Sequence, residues 1–388
     1  MPMSRNLLLL PIVIAMGTAC SDGSDSSASE SAVSPTAEPA APVYSFDEVD
    51  TELQRFIDES QVFDGISYTL VDGDQGMVHE AAFGDHTLDT VVQLASTSKM
   101  PSVALLMALH EDESLDFDIA APIERYLPWE GVYGDRTTEQ LLSNTSGIPG
   151  LGSIATYGVS GHICQFAGNT TLQECGETLY VNESPGSTEP GTAFDYGGSQ
   201  WHLAGAVAEV VSNSTWNQAF DVYIGTPCEL EVFTYGNMWS NLDDWTGSPD
   251  SLTGQENANV EGGGITTLQD YAKLLLMHLR GGACGDNQVL SQDSVDFVQT
   301  DRGGPLGGPG YGMGWWIIYA DEENNELIYD PGAFGAVSWL DVERGIGGYV
   351  AIDDYTRTEQ DSVYDFVLNT VVPLQRAVVD AARDEVGE

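Results

Sequence analysis

The chain has 388 residues, of which 60 are Asp or Glu and 12 are Lys or Arg, giving a formal charge of −48. So acidic a surface repels phosphate backbones and anionic headgroups, which excludes nucleic-acid binding and a basic membrane-surface patch. It does not imply disorder, because 42% hydrophobic residues against 19% charged ones suffice for a large core. The length fits one large domain or two coupled ones, with no internal repeat. The acidity is spread along the whole chain, as solubility demands or as a salt-rich habitat permits by screening the self-repulsion.

In chain order, Arg5 precedes an apolar run from Leu7 to Met16, followed by Gly17, Thr18, Ala19 and Cys20. The run is too short for a permanent membrane span and reads as a secretory signal. Small residues directly before a cysteine resemble the lipobox of bacterial lipoproteins. The resemblance implies a signal peptide at 1–20, a lipidated Cys20 and, with Ser21 rather than Asp following, export to the outer membrane of a Gram-negative cell. Residues 21–45 are rich in Ser, Ala, Pro and acids, the composition of a disordered tether. Attachment to the membrane is expected only through that lipid.

From about Phe46 the pattern becomes regular. Asp47–Glu59 is predicted helical, with Val49, Leu53, Phe56 and Ile57 on one face. Ile66–Val71 and Met77–Phe83 flank Asp72-Gly73-Asp74, a hairpin signal. Ser96–His110 is predicted as a helix apolar nearly all round, and therefore buried, with Pro101 in its first turns where a missing N–H is tolerated. Residues 111–265 are loop-rich, with helical patches at Thr137–Ser143 and Trp201–Val211. Thr267–Arg280 reads as a helix. Gly314–Tyr319, Glu326–Tyr329, Ala336–Asp341 and Gly348–Asp353 read as strands, and Glu359–Arg383 as a closing helix. Strands at both ends with helical material inserted between them make an α+β plan, one antiparallel sheet drawn from both termini.

Four further cysteines, Cys164, Cys175, Cys228 and Cys284, imply disulfides in an exported chain. Their spacing favours Cys164–Cys175 and Cys228–Cys284, though sequence alone permits three pairings. His162 near Cys164 lacks a second Cys/His pair at zinc spacing, and no metal or cofactor is expected.

Lysine occurs only twice, at Lys99 and Lys273. Lys99 stands three residues after Ser96, which puts both side chains on one helical face. A serine becomes a nucleophile when a neighbouring base takes its proton, and a lysine can do so only when neutral. Burial and the helix dipole would have to lower its pKa from near 10.4 to about 7–8. The words Leu94-Ala95-Ser96-Thr97-Ser98-Lys99, Leu141-Leu142-Ser143-Asn144-Thr145-Ser146-Gly147-Ile148-Pro149, Pro190-Gly191-Thr192-Ala193-Phe194-Asp195-Tyr196, Gly262-Gly263-Gly264-Ile265 and Tyr311-Gly312-Met313-Gly314-Trp315 occur in order. Together they resemble the serine β-lactamase-like hydrolases: class C β-lactamases, D-alanyl-D-alanine peptidases and family VIII carboxylesterases.

The resemblance implies a hydrolase domain over 46–388 with a mainly helical insertion at about 111–265. It implies Ser96 as nucleophile, Lys99 and Tyr196 as proton-transfer groups, and the backbone N–H groups of Ser96 and Ala333 as oxyanion hole. Two departures stand out. The second motif reads Tyr196-Gly197-Gly198, with Gly198 where the family has Asn, so that Ser199 or Gln200 would have to reach in. The third reads Asp330-Pro331-Gly332 in place of Lys-Thr-Gly. Gly332 keeps a close backbone approach, whereas Asp330 in a substrate-binding position would repel carboxylates. A small ester or neutral amide is therefore expected over β-lactams and D-Ala-D-Ala peptides, with Trp201, Trp315, Trp316, Tyr329 and Phe334 as acyl-pocket candidates. G-x-S-x-G, H-E-x-x-H, G-x-x-x-x-G-K and G-x-G-x-x-G are absent, and Gly303–Gly314 reads as a flexible loop. His110 and His202 read as core histidines. The rival expectation is an inactive relative that binds peptidoglycan fragments or a partner protein.

Overall fold

The computed structural model describes residues 41–151, 162–319, 326–355 and 360–387. The expected signal peptide, Cys20 and most of the tether lie outside the described residues. Helix α1, Asp47–Glu59, buries Val49, Leu53 and Ile57, a four-residue spacing that lines one helical face. Strands β1, Gly65–Asp72, and β2, Gly76–Gly84, form the predicted hairpin. Its turn is set by Asp72, whose carboxylate accepts the backbone N–H groups of Asp74 and Gln75.

The short strand β3, Val92–Gln93, leads into a 3₁₀ turn, Ala95–Ser98, and then helix α2, Lys99–Glu111. Every residue of α2 from Lys99 to Leu109 is buried. Its Val103, Leu105, Leu106, Met107 and Leu109 contribute about 1.5–3 kcal/mol each by leaving water, which anchors the turn before it. Helices α3, Thr138–Leu142, α4, Leu172–Val181, α5, Ser199–Ser212, and α6, Trp216–Phe220, follow. They are joined by strands β4, Phe233–Tyr235, and β5, Gly264–Thr266, which pair with β3 in the order β3-β5-β4. Helix α7, Leu268–Leu279, a two-strand ribbon β6, Ala283–Cys284, and β7, Asn287–Gln288, and helix α8, Gln292–Gln299, complete the central part.

Strands β8, Trp316–Tyr319, β9, Glu326–Pro331, β10, Val337–Asp341, and β11, Ile346–Ala351, return to the first hairpin. The main sheet has the order β2-β1-β11-β10-β9-β8, antiparallel throughout. β1 and β11, from opposite ends of the chain, pair in its centre with Ser67 opposite Ala351 and Tyr68 opposite Val350. One face packs on α1 and the closing helices through Leu53, Ile66, Tyr68, Trp339, Val350 and Val379. The other belongs to the core built around α2, α5 and α7. The closing segment is not one helix: α9, Gln360–Phe366, and α10, Val372–Val386, are separated by a π turn, Val367–Val371, just before Pro373. The disulfides are Cys164–Cys175, with Cα atoms 5.5 Å apart, and Cys228–Cys284, at 4.9 Å.

Candidate active site

Ser96 sits in the 3₁₀ turn entering α2, directly after Ala95, whose φ of +46° is unusual for a residue with a side chain. The turn is clamped from several sides. Thr97 donates its hydroxyl to the carbonyls of Asp330 (3.1 Å) and Ala336 (3.0 Å). Ser98 Oγ accepts the N–H of Gly264 at 2.9 Å, and Tyr271 and Tyr235 donate to the carbonyls of Thr97 and Ser98. Gly332 permits the close approach of β9, since a Cβ there would run into the carbonyl of Leu94.

Lys99 Nζ donates to Ser96 Oγ at 3.1 Å and to the backbone carbonyl of Glu261 at 2.9 Å. It lies 4.8 Å from the ring centre of Tyr196 and 5.5 Å from that of Trp201. The Tyr196 hydroxyl hydrogen-bonds both Lys99 and Ser96. The three groups expected from the sequence thus converge. Their protonation differs from the expectation. Burial pushes the Lys99 ammonium downward, but Tyr196, Glu261 and Asp330 around it outweigh burial and hold its pKa above the ordinary value. Burial likewise raises Tyr196, with Lys99 pulling it back. These neighbours favour the charged lysine over the free amine.

Tyr196 is positioned by the segment 141–151. Asn144, in the left-handed region at φ +57°, accepts on its Oδ1 the Gly197 N–H (3.3 Å), the Gln200 amide (2.9 Å) and the Trp201 indole N–H (3.1 Å). Leu151 N–H donates to the Tyr196 carbonyl at 2.7 Å. On the other side Trp316 lies 5.0 Å and Tyr311 5.9 Å from the Tyr196 ring. The glycine-rich stretch 303–314 holds this wall in place: Arg302 and Gly303 donate to the Tyr311 carbonyl, Asp301 accepts the Tyr311 N–H, and Tyr311 is fully buried.

Ser96, Lys99, Tyr196 and Ala333 line one cavity of about 560 Å³, whose other walls include Leu151, Ile163, Phe166, Ala167, Trp239 and Glu261. None of Trp201, Trp315, Trp316, Tyr329 and Phe334 lines it. Trp201 is buried beneath Lys99, Trp315 packs on His278, Trp316 backs Tyr196, and Phe334 stands behind Trp239 at 5.0 Å. The wall comes instead from the 3₁₀ turn His162–Phe166, tied to α4 by the Cys164–Cys175 disulfide. Among the described residues no histidine lines the cavity. His202 is buried, which lowers its pKa to about 4, and His162 bonds Ser184 and Ser199.

Two expected substrate contacts are corrected. Asp330 is fully buried and outside the cavity; its Oδ2 accepts the Met100 N–H at 3.2 Å, under the start of α2. β9 turns that side chain into the core, where it faces the helix N-terminus instead of a substrate. Gly198 is also outside the lining: a side chain there would occupy the space taken by the Glu261 carboxylate. Neither Ser199 nor Gln200 reaches in, since Ser199 bonds His162 and Gln165, and Gln200 bonds Ser146, Asn144 and Asp195. Glu261 was not expected. Its Oε2 lies 4.0 Å from Lys99 Nζ, and burial lifts its carboxyl above the usual carboxylate range while Lys99 and Asn259 pull it back. An acid directly before the run Gly262–Gly264 was the available signal.

The chain matches the family model described as Beta-lactamase over residues 53–368, and it belongs to that family. It is 24% identical to penicillin-binding protein 4 of Amycolatopsis lactamdurans over 311 residues, 73% of this chain and 78% of that protein. The structure of a putative β-lactamase from Bacteroides dorei superposes with a TM-score of 0.69 at 25% identity, covering 87% of this chain and 99% of the other. EstCE1, a hydrolase with promiscuous acyltransferase activity, shares the fold with a TM-score of 0.65 at 18% identity, covering 82% and 98%. The α+β fold is the β-lactamase fold, and family members are serine hydrolases, esterases and amidases.

Proposed function

We propose that the chain is an exported serine hydrolase that acts through an acyl-enzyme on Ser96 and cleaves esters, or neutral amides, with an apolar acyl part. The observation that carries this reading is the Ser96 hydroxyl at 3.1 Å from a buried lysine, in a cavity also lined by Leu151, Ile163, Phe166 and Trp239. The Ser96 hydroxyl attacks the acyl carbon while the Lys99–Tyr196 pair takes its proton and passes it to the leaving group. Lys99 pulls the Tyr196 phenol downward, which makes Tyr196 the member of the pair that takes the serine proton. The N–H groups of Ser96 and Ala333 would receive the developing oxyanion. No cation stands at the third motif, which favours uncharged substrates over carboxylate-bearing β-lactams. The alcohol or amine acceptor is left open, as the acyltransferase activity of EstCE1 illustrates. Export and a lipid anchor at Cys20 remain part of the proposal, supported by the composition of the first 45 residues and by two disulfides.

The test is intact mass after incubation with a fluorophosphonate, with Ser96→Ala alongside, followed by p-nitrophenyl esters of increasing acyl length and a chromogenic cephalosporin. One adduct on the wild type, none on the variant, and ester turnover above cephalosporin turnover are expected. A folded wild type without an adduct would leave the chain as a binding protein.

A further inference from the structure

The Glu261 carboxylate stands in the place of the missing second-motif side chain, inside the cavity and next to the lysine that holds the nucleophile. We propose that Glu261 is the catalytic base of deacylation, the group that takes a proton from the water attacking the Ser96 acyl-enzyme. This rests on the acyl-enzyme reading above.

Three observations carry it. Glu261 lines the cavity with Ser96, and its side chain is 10% exposed where that of Lys99 is 1% exposed, so the carboxylate, unlike the ammonium, is open to water that replaces the leaving group. The residue is fixed at its backbone, whose carbonyl accepts from Lys99, and at its side chain by the Asn259 amide. Its carboxylate lies 4.0 Å from the Lys99 ammonium, and Lys99 lies 3.1 Å from Ser96 Oγ, which joins the three groups in one proton path.

The step balances. Water oxygen bonds to the acyl carbon while one of its protons moves to the Glu261 carboxylate. The tetrahedral intermediate collapses, the carbon–Oγ bond breaks, and Lys99 gives a proton to Ser96 Oγ. Glu261 then returns its proton to Lys99, and the carboxylic acid leaves. Lys99 from α2 is the ionisable group that acts on Glu261, and Tyr196, from the loop before α5, and Asp330, from β9, act in turn on Lys99. Lys99 favours the ionised carboxylate, whereas burial holds its titration above that of a free glutamate.

Glu261→Gln keeps the shape and removes the base. With p-nitrophenyl butyrate the full-length variant should release about one p-nitrophenol per enzyme in a fast burst and then turn over on the order of 100-fold more slowly than wild type. Intact mass should show butyrylated Ser96 persisting, and fluorophosphonate labelling at the wild-type rate should show an intact nucleophile. Added formate should restore the slow phase of Glu261→Ala in a dose-dependent way, which a purely structural role would not permit. In the wild type, the decay rate of the trapped butyryl-enzyme should rise with pH through a carboxylate titration. Wild-type steady turnover by Glu261→Gln, equal loss of burst and steady phases, or a flat pH profile of wild-type decay would each overturn the role. Wild-type turnover that survives Ser96→Ala would overturn the underlying reading, and this role with it.

Discussion

Asp330 caps the start of the helix that carries Lys99: its Oδ2 accepts the Met100 N–H at 3.2 Å in a fully buried setting. That contact satisfies one of the N–H groups a helix leaves open at its first turn. It also adds a carboxyl to the surroundings that keep Lys99 charged. Asp330→Ala is therefore expected to lower the unfolding free energy in urea by about 1–3 kcal/mol, the cost of leaving a buried donor unpaired. Asp330→Lys, which would bury a second cation beside Lys99, should prevent folding. The ratio of kcat/KM for a neutral ester to that for its carboxylate-bearing analogue should be the same in Asp330→Asn as in wild type, because the side chain lies outside the cavity. A changed ratio would place it in contact with substrate.

The space shared by Gly198 and Glu261 gives a second prediction. A methyl group at 198 meets the end of a flexible side chain, not backbone, so the fold tolerates it and the carboxylate must move. Gly198→Ala should keep the wild-type melting temperature within a few degrees and slow steady ester turnover by about tenfold. In a Glu261→Ala background the same change should cost almost nothing more. Additive losses, measured as a double-mutant cycle on kcat/KM, would mean that the two positions do not compete.

Much of this architecture was legible because it is local. α1 announces itself through the four-residue spacing of Val49, Leu53 and Ile57, and the first hairpin through Asp72, whose turn needs nothing beyond its own neighbours. The convergence of Ser96, Lys99 and Tyr196 followed from motif words. What escaped depends on contacts between distant segments. The cavity wall at His162–Phe166 is a 3₁₀ turn with no periodic pattern, placed by a disulfide. Whether Asp330 faces substrate or core is decided by the direction β9 turns it, and Glu261 fills the gap left by Gly198, 63 positions away in the chain. Helix α4 was missed although Thr171 and Glu174 form a capping box readable as T-x-x-E.

The Cys164–Cys175 bridge should matter to the substrate more than its small loop implies. It joins α4 to the turn that supplies Ile163 and Phe166 to the cavity. Replacing both cysteines by serine is expected to cost about 3 kcal/mol on the loop-entropy model. It should also raise KM for long-chain esters more than for acetate, since only the former reach that wall. Equal effects on both substrates would show that the turn keeps its place without the bridge.

Asp353 carries a pH signature of its own. Its carboxylate accepts the Gln93 N–H at 3.0 Å and the Trp245 indole N–H at 3.3 Å, yet burial is the larger influence and lifts its pKa from 3.8 to about 6. Below pH 4 the folded and unfolded chains both carry the proton, and this group leaves stability unchanged. Between pH 4 and 6 the unfolded chain releases the proton while the folded one retains it, so stability falls as pH rises. A separation of about two pH units corresponds to about 3 kcal/mol, lost by pH 7. Asp353→Asn removes the titration. The wild-type unfolding free energy minus that of the variant, measured in urea at fixed salt, should therefore drop by about that amount between pH 4 and 7. Salt must be held constant, because screening of a −48 chain raises stability by a separate route. A difference that stays level across this range would show that Asp353 ionises as readily in the folded chain as in the unfolded one.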